Sequence, residues 1–216
     1  MNTIGPSITQ SFAFVARVGE QCEALAQLIR QEVSASLLKP QLSQLAPGKW
    51  TSHYREDAAG WIFSDAVWTL PLTPSAKNAE TRYLSIQLSL LNDNPEGGSI
   101  AEPLLHINCW ECAVDHKEDT YMGFPMAGMT ASTAARLAKG NARLLRWQAN
   151  NGQPDWWTYS VRLADINDIG DVRALIIEPV AQLLEDVEVG EQILNDLPRV
   201  ISYCPLEGME DYYRAR

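Results

Sequence analysis

Positive charge is scarce in this 216-residue sequence: seventeen lysines and arginines stand against twenty-seven aspartates and glutamates, a formal net charge of −10. Such a field repels phosphate backbones, so nucleic-acid binding would need a local basic patch that overrides it. The best one is Arg136, Lys139, Arg143 and Arg146, which would share one stripe on a helix. A solvated helix face accounts for that stripe, and nucleic acid is not expected as a partner. Histidine is also rare, and histidine-dependent chemistry would have to use His53, His106 or His116. No stretch approaches eighteen uninterrupted apolar residues, and Met1–Gln10 lacks a positively charged region followed by an apolar run. Neither membrane insertion nor an ordinary export signal is expected. The four cysteines, Cys22, Cys109, Cys112 and Cys204, are scattered apart from one close pair. Without an export signal they read as free thiols in a reducing, cytoplasmic compartment rather than as a disulfide framework. Nucleophile elbow, glycine-rich phosphate loop, metalloprotease helix and internal repeat are all missing.

What is present is the composition of a globular protein, with 46% apolar residues, seven tryptophans and seven tyrosines. The length fits one domain over residues 1–216, with flexibility expected at 1–10 and 206–216. A first long helix is expected from Ser11 to Ser36, because Phe14, Val18, Cys22, Leu25, Leu28, Ile29 and Val33 recur at helical steps. Gly19 marks a break or a close helix contact within it. Pro40 and Pro47-Gly48 end the helical character.

Extended segments follow at Trp50–Arg55, Trp61–Leu70, Arg82–Leu91 and Pro103–Val114, with a turn over 57–60. The third has the clearest pattern: Leu84, Ile86, Leu88 and Leu90 alternate with Ser85, Gln87 and Ser89, so the leucine side should meet a helical layer and the other side should be polar. Residues 130–147 read either as a helix or as a shorter helix followed by a strand through Leu144, Leu145 and Trp147. Trp156–Leu163 reads as a further strand with Trp157, Tyr159, Val161 and Leu163 on one side. A late acidic helix from Asp171 to Leu184 carries Pro179, which predicts a kink, and a short helical segment covers Val189–Leu197. Val200, Ile201 and Tyr203 could add an edge strand. The fold class is α+β, a predominantly antiparallel sheet covered by helices.

Three constellations could carry function. His106, Cys109, Cys112 and His116 supply the donor types of a tetrahedral zinc site. A regular strand would, however, send the two cysteines to opposite faces, and Trp110-Glu111 between them does not favour the tight turn of a metal knuckle. The second is a cleft built from the 92–129 loops, with His106, His116 and Asp115 as first catalytic candidates, although no motif defines a dyad. The third is an interface. Between Asp165 and Asp196 nine acidic residues accompany one basic residue, Arg173, and Trp156-Trp157 must send its rings to opposite sides of a strand. An acidic helix face with Glu178 and Glu185, beside an exposed tryptophan, would suit a basic protein surface or self-association as a homodimer. The expectation is therefore a non-enzymatic interaction or accessory protein without a cofactor. An enzyme of unknown reaction and a zinc-binding protein are the alternatives.

Overall fold

The computed structural model describes residues 4–57, 59–76, 81–90, 102–114, 143–147, 156–205 and 213–215. Helix α1 runs from Ile4 to Ser36. It begins seven residues earlier than its apolar pattern predicts. Pro6 is tolerated there because the first-turn N–H groups have no helical partner. Gly19 neither breaks the helix nor packs closely: a methyl group at that position would meet no atom within 4 Å.

Strands β1 (Leu45–Pro47), β2 (Thr51–Glu56), β3 (Phe63–Pro74), β4 (Arg82–Ser89), β5 (Leu104–Trp110), β6 (Leu145–Trp147) and β7 (Trp156–Arg162) form one seven-stranded antiparallel sheet. Its order is β1-β3-β4-β5-β7-β6, with β2 also pairing with β3. Strand β3 runs past the expected end at Leu70 and closes at Pro74 beside β1. Arg146 lies in strand β6, so the strand reading of that segment holds. A small second sheet pairs β8 (Tyr203–Pro205) with β9 (Tyr213–Ala215). Val200 makes a single bridge to Val161.

Register explains the core. Trp68 lies opposite Ile86, Ile86 opposite Ile107, and Ile107 opposite Tyr159. Cross-strand partners share a face, so these residues and their second neighbours form one apolar surface. The second half of α1 covers it through Ala26, Ile29 and Val33. The later helices α2 (Ile169–Val172), α3 (Glu178–Glu185) and α4 (Val187–Asp196) join that core through Val172, Val180, Leu183, Leu184 and Leu194. Between α2 and α3, Arg173–Ile177 forms a π-helical turn. This is the change of segment that Pro179 predicts: proline has no N–H for the carbonyl four residues earlier, that of Leu175. The Tyr159 hydroxyl donates toward the carbonyl oxygens of Leu175 and Ile176 instead, at 3.2 and 3.3 Å.

The opposite face of the sheet is polar, as the alternation in β4 predicts, but it is also closed to solvent. Asp65, Thr69, Ser85, Gln87, His106, Asn108, Thr158 and Ser160 are all buried there. Their partners lie mostly across the strands. Thr69 Oγ1 and Ser85 Oγ are 2.9 Å apart, Thr158 Oγ1 donates to Asn108 Oδ1 at 2.8 Å, and Ser89 Oγ donates to Asp65 Oδ1 at 2.6 Å. Burial of so many polar groups is tolerable because each of these bonds replaces one lost to water, although Asn108 Nδ2 has no hydrogen-bond partner among the described residues.

Candidate interaction surface

Two elements meet outside the core to form an exposed aromatic cluster. The first is the amino-terminal half of α1. The core-facing residues Cys22, Ala26, Ile29 and Val33 belong to a stripe that extends backwards at helical steps through Gly19, Val15, Phe12, Ile8 and Ile4. The core ends before this stripe does. Ile4, Ile8, Phe12, Phe14 and Val15 are all exposed, so Phe14, which recurs at helical steps with the core residues of α1, does not share their burial.

The second element is the β2–β3 turn. Asp57 organises it: one carboxylate oxygen accepts from the N–H groups of Trp61 at 2.6 Å and Ile62 at 2.8 Å, and the other from Ala59 at 3.2 Å. These bonds, chiefly those from Ile62 and Trp61, hold the Asp57 carboxyl below its ordinary pKa. Gly60 occupies the left-handed region at φ 69°, where a side chain would be strained. The turn holds Trp61 outward, 72% exposed, with its ring centroid 5.9 Å from that of Phe12. Phe63 packs 5.0 Å from Tyr54, which in turn meets Trp68 edge-on at 6.2 Å. Between helix and turn lies an apolar groove of about 420 Å³, lined by Phe14, Val15 and Val18 above and Trp61, Phe63 and Leu90 below.

Acidic residues of the carboxy-terminal helices fall into two groups. Asp171 pairs with Arg199 at 2.6 Å, and Arg146 reaches Glu188 and Glu191 at 2.6 and 3.4 Å. Asp168 and Asp186 cap the starts of α2 and α4. Glu178 and Glu185 remain exposed on α3. Arg173 forms a two-bond pair with Glu32, tying the π-helical turn to α1. Two cations that neutralise part of this surface lie outside the 165–196 window, Arg146 well before it and Arg199 three residues past its end, which is why a count over 165–196 overstates the local charge. Trp157 is fully buried in the core, while Trp156 is half-buried on the other face of β7. Of the proposed basic stripe, Arg143 donates to the carbonyls of Leu194 and Leu197 at the end of α4, and Arg146 is the ion-pair partner above. Arg136 and Lys139 lie outside the described residues.

Strand geometry separates the candidate zinc donors that the structure describes. Cys109 faces the helices, where burial pushes its thiol up to about 11, whereas His106 points to the opposite face. Cys112 is exposed beyond the end of β5. Among the described residues, no group of three or more His, Cys, Asp or Glu side chains is placed to hold a metal ion. His116 and Asp115, and most of the 92–129 loops, lie outside the described residues, and no catalytic site is evident among those described.

His106 is fully buried, with Nδ1 2.6 Å from Ser160 Oγ. Burial lowers its pKa from 6.5 to about 4, against a smaller opposing pull from Asp65. The unfolded chain therefore binds the proton first, and stability falls as the pH drops from about 6.5 toward 4. The slope is about 1.4 kcal/mol per pH unit and the total about 3 kcal/mol. Urea unfolding at pH 7.5 and pH 5 is expected to show about 2 kcal/mol of this loss, and a His106→Gln variant is expected to show a flatter profile over that window.

No family model matches this chain, and neither does any curated protein or solved structure.

Proposed function

We propose that this chain is a non-enzymatic interaction or accessory protein, and that it docks an apolar protein surface on the groove between α1 and the β2–β3 turn. The observation that supports this reading is the contiguous exposure of Ile4, Ile8, Phe12, Phe14, Val15, Trp61 and Phe63. Large apolar patches on soluble proteins mark interaction sites, and an amphipathic helix laid into such a groove is a recurring mode of recognition. Tryptophan and other aromatic anchors dominate the energetics of protein interfaces. The rigid turn around Asp57 favours binding further, since Trp61 is held outward before a partner arrives. Glu178 and Glu185, exposed on α3, form a second, polar element that orients basic groups of a partner during encounter, whereas Trp156 faces the other side of the sheet and is not part of it.

A photo-crosslinking residue installed at position 61 tests the reading in cells producing the full-length chain. Protein adducts are expected from position 61 and, separately, from position 12, but not from an exposed control at position 49. If both test positions give no protein adduct while the control behaves identically, the groove is not a docking site.

A further inference from the structure

We infer that the occupant of the groove is a second copy of this chain, paired through the amino-terminal half of α1 about a twofold axis. The inference rests on the docking reading above and names its partner. Three observations carry it.

The first is self-complementarity. In a twofold interface the same patch lies on both sides, so each copy must offer both a projecting element and a receptor for it. This surface has both. Residues 4–16 project past the core as an exposed helical segment of roughly 20 Å, and the groove beside it is walled by Phe14, Val15, Val18, Trp61 and Phe63. Ile4 and Ile8, exposed on the projecting turns, are apolar knobs for the partner's groove. The open space over Gly19 leaves room for close backbone approach.

The second observation is charge. The protein carries −10 overall, yet residues 4–16 contain no charged side chain, and the groove beside them is lined by one acid, Glu56, among otherwise uncharged residues. An acidic chain meets its own copy at least cost where acids are sparse, because like charges brought together across an interface are costly. A basic partner would gain nothing from this segment.

The third is area. Phe12, Phe14, Trp61 and Phe63 are 53, 60, 72 and 50% exposed. At 150–250 Å² per aromatic side chain they present roughly 350–600 Å². Ile4, Ile8 and Val15 bring the patch close to the ~800 Å² per partner of a standard specific interface.

Sedimentation velocity of the purified full-length protein, from 1 to 100 μM and at low and high salt, tests the inference. A concentration-dependent dimer is expected. Because the two copies repel through their net charge while the contact is largely apolar and gains no ion pair, dimerisation should strengthen as salt screens that repulsion. Phe12→Ser and Trp61→Ser, each with an unchanged circular dichroism spectrum, are expected to weaken the dimer at least tenfold. Glu178→Lys with Glu185→Lys should instead leave it intact or tighten it. A monomer at 100 μM in high salt, or a dimer equally stable in both aromatic variants, overturns the inference. A monomer together with a crosslink from position 61 to a different protein would sink the second copy while leaving the docking reading in place.

Discussion

Trp157→Ala is expected to lower the unfolding free energy by about 3–5 kcal/mol, a severe loss for a protein of this size. Trp157 is fully buried on the helix-facing side of β7, stacked on Tyr159 with ring centroids 6.2 Å apart and opposite Cys109 on β5. Removing the indole leaves a cavity between sheet and helices that neighbouring strands, fixed by their ladders, cannot close. The neighbouring Trp156→Ala is expected to cost clearly less, because Trp156 is half-buried on the other face. Urea unfolding of both variants checks the contrast. Equal losses would contradict the assignment of Trp157 alone to the core.

Asp65→Ala carries the second large expectation, a loss of about 3 kcal/mol. Asp65 is 1% exposed and accepts from Arg55 Nε at 2.9 Å, Ser64 Oγ at 3.0 Å, Ser89 Oγ at 2.6 Å and Gln87 Nε2 at 3.3 Å, with Arg55 Nη2 at 2.7 Å. Removing the carboxylate leaves several buried donors without their acceptor, the costly half of the asymmetry between breaking and replacing a buried polar network. The figure is set at the lower end of the usual range because the Arg55 side chain is 36% exposed and recovers solvation. Asp65→Asn, which keeps oxygen at the position, is expected to retain part of the stability. Denaturant midpoints of the two variants, measured at pH 7.5, distinguish loss of charge from loss of all acceptors.

Much of the fold was legible because local periodicity survives folding unchanged. Leu84, Ile86 and Leu88 had to share a face in any strand, and the helices they meet are those that the apolar steps of α1 and the 171–197 region indicate. Pro179 announced a change of helical segment without saying which kind. The start of α1 was misplaced because Gly5-Pro6 reads as a lead-in, although the steps Ile4, Ile8, Phe12 and Val15 were present in the sequence and join the stripe without interruption. Trp61 was visible as an aromatic residue, but its exposure depends on the Asp57 bonds to the turn backbone, which no periodicity encodes.

The sequence by itself determined the element types, the two-sidedness of the strands, the excess of acid and the lack of any motif for catalysis, because each depends on near neighbours or on composition. Tertiary structure alone decided which polar residues are buried and where the apolar stripe of α1 outruns its core. Burial is set by what packs on top of an element, and strands distant in the chain bring Asp65, Gln87, His106 and Ser160 onto one enclosed face. The same rule joins Arg146 to Glu188 and Glu191 and places Phe12 against Trp61, since these pairings bring together elements distant in the chain, whereas the separation of His106 from Cys109 follows from their odd spacing on one strand.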